Sequence, residues 1–187
     1  MPTVLQFRRG TAAQNNAFTG AAGELSINTD VDSIRIHDGS TAGGFETNAK
    51  EATYADVAER YQADAEYDPG TLLVFGGDQE VTQSTTAISK RIAGIVTTDP
   101  YCVMNSPHRR PDLTNLAHPP IALLGKVPTK VVGTVTKGDM MVSSATAGHA
   151  RAWTEETNPP AGSVIGKSLE DKTSEEAGVI EVVIGRL

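Results

Sequence analysis

Residues 23–44 carry the pattern of one β-hairpin followed by a tight exit turn. Four aliphatic residues alternate with polar residues on either side of a polar turn at 29–33: Leu25, Ile27, Ile34 and Ile36. Because strand side chains alternate between faces, the four predict a single apolar face. An isolated hairpin is marginal in water. We therefore expect this face to pack against another surface, and further copies of the same hairpin are the simplest candidate.

The rest of the chain favours β-structure. A chain of 187 residues is long enough for a small module and one ordinary domain. Aromatic residues make up only 5%, so the core must be built mainly from aliphatic side chains. From Thr71 onward, short apolar runs are separated by Gly, Pro and Asp, a pattern typical of a β-barrel or sandwich.

The segment between these parts has a helical pattern. Tyr54, Val57, Ala58 and Tyr61 follow a three-and-four spacing, which predicts one helical face. Two interpretations stay open: a lone connector helix lying on the C-terminal domain, and a short trimeric helical neck. The turn at 68–70 ends the segment.

The predicted fold is therefore mainly β. It has an N-terminal β-hairpin module at residues 1–47, a helical connector at 48–68 and a C-terminal β-barrel or sandwich at 69–187. A first strand is predicted at Thr3–Phe7 and is expected to be broken by residues 8–10.

The C-terminal part contains a weak internal sequence repeat. In each half a turn glycine precedes an apolar strand, and a later strand has a glycine at its centre. The turn glycines are Gly70 and Gly138, and the central ones are Gly94 and Gly166. A central glycine often marks a bend or a close backbone approach. The pattern predicts two related β-units that fold on each other.

Composition argues against several classes of protein. The formal charge of −7 is unlike that of an electrostatic nucleic-acid binder. No apolar run is long enough to cross a bilayer. The first residues lack the apolar region of a secretory signal. The single cysteine, Cys102, cannot form an intrachain disulfide and is expected to be a buried thiol.

The sequence predicts no catalytic, cofactor or metal site. Its four histidines lack metal-ligand spacing, although a threefold axis could bring together three copies of one of them. His37 adjoins Asp38, but successive strand residues point to opposite faces, which favours a turn carboxylate and a surface or interface imidazole. Glycoside hydrolysis by paired carboxylates stays open, since such a pair can come from anywhere in a fold.

Motifs at the N-terminus resemble a known module. They are Arg8-Arg9-Gly10-Thr11, Gly23-Glu24-Leu25, Ile34-Arg35-Ile36-His37-Asp38-Gly39 and Gly43-Gly44. In this order they are similar to the N-terminal module of bacteriophage tail-fibre and appendage proteins. The resemblance implies a module that is usually trimeric and often lies near the end attached to the virion.

The later part has resemblances of its own. Its motifs are Tyr54-Ala55-Asp56-Val57-Ala58-Glu59, Pro69-Gly70-Thr71, Ala93-Gly94-Ile95-Val96, Leu124-Gly125-Lys126-Val127-Pro128 and Lys137-Gly138-Asp139. They resemble β-domains of phage neck-appendage and tail-fibre proteins. Some relatives cleave themselves, but no dyad here maps residue by residue, so that activity is not carried over. Residues 161–183 resemble small phage head-decoration proteins.

The resemblance implies a non-enzymatic virion protein, a short trimeric tail fibre or a tail or baseplate appendage made in the host cytoplasm. The expected partners are two further copies, other virion proteins and a host-surface receptor, without nucleic acid, membrane insertion or cofactors. The alternative is a capsid head-decoration protein, and a third class is a polysaccharide-degrading appendage enzyme. We predict subunit or virion contacts at Arg8, Arg9, Phe18, Leu25, Ile27, Ile34, Ile36, His37, Asp38, Tyr54, Val57 and Tyr61. We predict a projecting loop with His108, Arg109, Arg110 and His118.

Overall fold

The computed structural model describes residues 6–47, 56–105 and 118–185. The chain divides into two compact units, Met1–Thr53 and Tyr54–Leu187. One short helix and fourteen strands make up the regular structure of the described residues, which confirms a mainly β fold.

The first unit is a small four-stranded sheet with one helical turn. Its elements are β1 (Arg8–Gly10), α1 (Ala12–Asn16), β2 (Leu25–Asn28), β3 (Ser33–Ile36) and β4 (Phe45–Thr47). β1 lies parallel to β2, and β2, β3 and β4 form an antiparallel meander. The predicted hairpin is β2–β3, with Leu25 opposite Ile36 and Ile27 opposite Ile34.

Residues 8–10 were expected to break a strand, and they form one instead. Arg8 pairs in register with Ser26, and Gly10 pairs with Asn28. Pairing with β2 thus decides the conformation, which the local sequence did not show. Most of the predicted strand Thr3–Phe7 lies outside the described residues.

The described residues of the second unit contain ten strands. They are β5 (Val57–Arg60), β6 (Leu72–Phe75), β7 (Val81–Gln83), β8 (Ile92–Val96), β9 (Cys102–Met104), β10 (Pro120–Val131), β11 (Met140–Ser143), β12 (Ala150–Ala152), β13 (Val164–Ser168) and β14 (Gly178–Ile184). Cys102 is exposed on β9 rather than buried, because β9 pairs with β5 alone among the described strands.

The strands of the second unit form two closed rings that share β10. In one ring, β10, β14, β13, β11 and β12 pair in succession, and β12 returns to β10 through Val131 and Ala150. In the other, β5, β10, β8, β6 and β7 pair in succession, and a parallel bridge between Ala63 and Val81 closes the circuit. Of the two predicted architectures, barrel or sandwich, the barrel is therefore confirmed, and it is double.

The two rings are copies of one arrangement. Gly70 N–H donates to the Val96 carbonyl at 2.8 Å, and Gly138 N–H donates to the Ser168 carbonyl at 2.9 Å. The corresponding strand pairs, β6–β8 and β11–β13, each carry one register shift. Each ring closes through a parallel contact at matching positions. The predicted pair of related β-units is thus present. We call residues 57–124 the first repeat and residues 125–184 the second repeat.

The predicted connector helix is not found in its described part. Val57–Arg60 form β5, and Ala58 is fully buried opposite Ala122 of β10. The spacing that suggested a helix is overridden because β5 is needed to close the first ring. Tyr61 follows β5, and its ring packs edge-on against Phe75 at 5.5 Å. Tyr54 lies outside the described residues.

Glycine is required at the centre of β8 and of β13. At Gly94 an added Cβ would overlap the carbonyl oxygen of Ala122, and at Gly166 it would overlap that of Val183. The clashing atoms belong to backbone, so they cannot move aside as a flexible side chain would.

This geometry yields a stability prediction. Gly166→Ala should lower the free energy of unfolding of the second unit by about 3 kcal/mol, because it forces two paired strands apart. Lys167→Ala, at the exposed neighbouring position, should change it by less than about 0.5 kcal/mol. Chemical denaturation followed by circular dichroism measures both, and equal stability of the two variants would contradict the close approach.

Candidate assembly interface

The first unit buries the polar face of its hairpin. Five polar side chains from β2, β3 and the residue after β3 are buried: Ser26, Asn28, Ser33, Arg35 and His37. The aliphatic residues between them point the other way. Ile34 and Ile36 are 39% and 45% exposed, and Leu25 and Ile27 are half-buried. The sheet is thus inverted relative to the usual arrangement, in which apolar side chains face the interior.

An ion pair organises the buried face. The Arg35 guanidinium donates to Glu46 Oε2 at 3.0 Å and to Asn16 Oδ1 at 2.7 Å. It also donates to the Gly43 carbonyl at 3.1 Å. Arg35 therefore joins β3, β4, the end of α1 and the turn before β4.

Glu46 is the second centre of this network. Its Oε1 accepts hydrogen bonds from Asn28, at 2.8 Å, and from Ser33. Burial favours the neutral acid, but the hydrogen bonds from Ser33 and Asn28 and the charge of Arg35 outweigh it and lower the pKa of Glu46. The carboxylate is thus held ionised where β2, β3 and β4 meet.

His37 is buried and has a defined role in the interior. Gly20 N–H donates to His37 Nδ1 at 3.2 Å, which assigns the proton to Nε2, from where it is donated to Ser26 Oγ at 2.9 Å. The Phe18 ring packs edge-on against the imidazole at 5.1 Å. The expectation of a surface or interface imidazole was wrong, because parity along β3 places His37 on the buried side with Arg35.

Asp38 points outward, as the alternation of strand side chains predicted. Its carboxylate accepts backbone hydrogen bonds from Thr41 at 2.7 Å and from Ser40 at 2.9 Å. These bonds lower its pKa. Asp38 therefore stabilises a turn, and it does not pair with His37.

Helix α1 is joined to the sheet by hydrogen bonds from a buried asparagine. Thr11 Oγ1 accepts from Gln14 N–H, and Gln14 Oε1 accepts from Thr11 N–H, which forms a capping box. Asn15 is buried, and its amide donates to the carbonyls of Gly10, Thr11 and Ile27 at 2.8, 3.0 and 3.2 Å. One turn of helix is thereby fixed to β1 and β2.

The outer side of the sheet is aliphatic. Cross-strand register places Leu25 beside Ile36 and Ile27 beside Ile34, so the four side chains form one patch. We call these four residues the apolar face. Phe45 lies opposite Ile36 at the margin of this patch.

The two N-terminal arginines differ. Arg8 donates to Glu24 Oε1 at 2.9 Å, and its guanidinium lies 4.1 Å from the centre of the Phe18 ring. This hydrogen bond is the main reason that the pKa of Glu24 is lowered. Arg9 is exposed and lies opposite Ile27, at the edge of the apolar face.

The other predicted contact residues lie elsewhere. Val57 belongs to β5, and Tyr61 donates to Glu59 Oε2 at 2.7 Å. In the predicted loop, residues 108–110 lie outside the described residues, and the carbonyl of His118 accepts from Arg60 at 2.7 Å. The structure thus gathers the four aliphatic residues into one patch, with Arg9 at its edge. Sequence reasoning missed the Arg35–Glu46 pair. The available signal was strand alternation, which places Arg35 on the face opposite to Ile34 and Ile36.

Two further observations concern metal binding and membrane insertion. Across residues 6–47, 56–105 and 118–185, no three His, Cys, Asp or Glu side chains are grouped so as to hold a metal ion. In the same ranges, no helix combines the length and hydropathy needed to span a membrane.

Comparison with known proteins points to one class of virion protein. Residues 5–41 match the model of the Major tropism determinant N-terminal domain. A tail fiber receptor-binding protein of Bordetella phage BPP-1 is 56% identical over 45 residues, which are 24% of this chain and 12% of that relative. The first unit thus contains a segment similar to a module of phage tail-fibre proteins, and we call this unit the tail-fibre module. The matched residues 5–41 lie within the first unit, and the chain covers only 12% of the relative's length.

Solved structures give weaker likenesses. The N base of the head fiber of bacteriophage phi29 aligns over 68% of this chain and 92% of its own, with 15% identity and a TM-score of 0.40. The P3c variant of the Major Tropism Determinant aligns over 91% of this chain and 43% of its own, with 19% identity and a TM-score of 0.25.

The buried network makes the tail-fibre module sensitive to acid. A carboxylate whose pKa is lowered by folding stabilises the fold above its unfolded pKa, and this contribution is lost as the pH falls through the folded pKa. Protonation of Glu46 in acid removes its charge pairing with Arg35, and it occurs at a lower pH than protonation of a free glutamate, because the pKa of Glu46 is lowered. Hydrogen exchange of the amides in residues 25–36 should therefore accelerate as the pH falls, beyond the intrinsic pH dependence of exchange.

Glu46→Gln tests the assignment. This variant should exchange faster than wild type at pH 7 and should show a smaller additional acceleration in acid. Part of the acid effect should persist, since Glu24 and Asp38 also have lowered pKa values. Glu155→Gln is the control, because it removes the carboxylate that pairs with Arg151 in the second unit. It should leave hydrogen exchange in residues 25–36 unchanged. An unaltered pH profile in Glu46→Gln would show that Glu46 does not carry the effect.

Proposed function

We propose that this chain is a structural protein of a phage virion, a short trimeric tail fibre or tail appendage in which the apolar face joins the subunits. The observation that carries the proposal is the inverted sheet. Its interior is filled by paired polar side chains, and its aliphatic side chains are left on the surface. The likeness of residues 5–41 to a tail-fibre module supports the same interpretation.

The apolar face suits contact between identical copies. It consists of four aliphatic side chains from two adjacent strands, with no charged side chain among them. Burying each of the exposed isoleucines stabilises an interface by roughly 1 kcal/mol, because about half of each side chain is still accessible. Three copies arranged around one axis bury all their apolar faces, and closed rotational symmetry prevents open-ended growth.

The second unit would then be presented three times by each assembly. Its double barrel contacts neighbouring virion proteins, and repetition strengthens weak individual contacts. A role in adsorption follows if one of these contacts is to a host-surface receptor. The predicted loop at 108–110 and the residue His118 stay candidates for that contact.

We propose a non-enzymatic role. The Ser26–His37 pair has the atoms of a catalytic dyad, but both side chains are buried and fully used within the sheet. Assembly requires no bond-breaking chemistry from the described residues. Release of sugars from host polysaccharide by the purified chain would overturn this part of the proposal.

Substitution on the apolar face tests the assembly. The double change Ile34→Lys and Ile36→Lys should convert a trimer of the full chain into monomers at micromolar concentration, because three copies cannot bury six like charges. Val31→Lys alters an equally exposed aliphatic residue at the hairpin turn and should leave the trimer intact. Light scattering coupled to size-exclusion chromatography measures the mass. Monomeric wild type would contradict the proposal, as would a trimeric double variant.

The place of the chain in the particle requires a separate experiment. Immunogold labelling of intact virions should place an antibody against this chain on the tail or its baseplate. Labelling spread over the head would favour the head-decoration alternative. Absence of label from intact particles would overturn both structural interpretations.

A further inference from the structure

The first repeat contains a pocket lined by a charged side chain, Arg60, that is not needed to form the ring. It is an open pocket of about 380 Å³ beside the start of β10, and Arg60, Tyr67, Val96 and Asp99 are among its lining residues. Prolines form much of the remaining wall. Pockets that combine apolar walls with a few convergent polar groups commonly bind small molecules.

Arg60 is the unusual residue in this pocket. Its Nη1 donates to the His118 carbonyl at 2.7 Å, but its buried Nε has no hydrogen-bond partner. Among the described residues no carboxylate lies within 4 Å of its guanidinium, and burial lowers its pKa. A half-buried guanidinium without a carboxylate partner is costly for a fold to keep, and an anion in the pocket would pair its charge.

The second repeat serves as an internal control. Arg60 lies opposite Pro120, and at the matching position of the second repeat Pro128 lies opposite Glu181. The match is fixed by Thr97 N–H, which donates to the Pro120 carbonyl as Leu169 N–H donates to that of Glu181. The same ring is thus built with a proline where the first repeat has Arg60. The guanidinium is not needed to form the ring.

The other lining groups indicate which anion fits. Asp99 adds a negative charge to the same pocket, which disfavours a doubly charged phosphate. A ligand with one carboxylate and several hydroxyls is suited to both charged groups. Its carboxylate can pair with Arg60, and its hydroxyls can donate to Asp99 and bond with exposed Thr98. Tyr67 and the proline walls can cover the C–H face of a ring.

We propose that this pocket binds a carboxylated sugar, with Arg60 holding the carboxylate through its planar donor fork and Asp99 accepting from ring hydroxyls. The proposal requires neither a trimer nor a place in the virion. Binding to the purified full chain therefore tests it independently of the assembly.

The experiment is a titration of the ¹⁵N-labelled full chain with glucuronate, followed by the amide signals of Thr97, Thr98 and Asp99. Saturable shifts are expected with glucuronate, and at least tenfold weaker binding is expected with glucose, acetate or inorganic phosphate. Glucose binding as tightly would show that the carboxylate is not recognised. Acetate or phosphate binding as tightly would show a site for anions in general, and either result overturns the proposal.

Variants assign the roles. Arg60→Gln should weaken glucuronate binding at least tenfold, and Arg60→Lys should be intermediate because it keeps the charge but loses the fork. Asp99→Asn keeps Arg60 and should reduce the preference for glucuronate over acetate. Arg91→Gln, at an exposed position outside the pocket, should bind as wild type does. Unchanged binding in a folded Arg60→Gln chain would overturn the proposal, and if that variant fails to fold, an unchanged preference in Asp99→Asn would do so.

Discussion

The pairing of Arg35 with Glu46 decides which way the first sheet faces. Once these two side chains meet beneath β3 and β4, strand parity sends their polar neighbours inward and the isoleucines outward. Arg35 is buried, and a guanidinium kept from water is stable only when its charge is paired and most of its donors are hydrogen-bonded. Glu46, whose side chain is partly exposed, pairs the charge, Asn16 accepts a further hydrogen bond from Arg35, and Asn28 and Ser33 hold the carboxylate in place. The exposed apolar face is thus a consequence of a polar interior.

Such an interior suits a module that assembles. A hairpin with an aliphatic core would bury the same residues within one chain and leave no apolar surface for another copy. Directional hydrogen bonds instead define the fold of the monomer, and the less directional hydrophobic effect stays available for association. The unit can therefore be ordered before it meets a partner, which lowers the cost of binding.

Sequence patterns predicted what depends on neighbours in the chain and missed what depends on distant contacts. Alternation located the β2–β3 hairpin and its apolar face, and repeated glycines indicated the two repeats. The polar network beneath the hairpin was missed because it depends on Glu46, which reaches Arg35 only after an intervening turn. Strand β5 was taken for a helix because its pairing partner, β10, begins about sixty residues later. The pocket around Arg60 was missed for the same reason.

Internal duplication separates residues that build the fold from residues with another use. Gly94 and Gly166 occupy matching positions and meet the same backbone constraint, so their identity follows from the architecture. Arg60 and its counterpart Pro128 share a position but have no chemistry in common. A ring that forms with a proline at this position does not require a buried cation there. Both repeats must keep the same strand pairing, but the side chains around a pocket are free to differ. In the first repeat these side chains include the charged groups of Arg60 and Asp99.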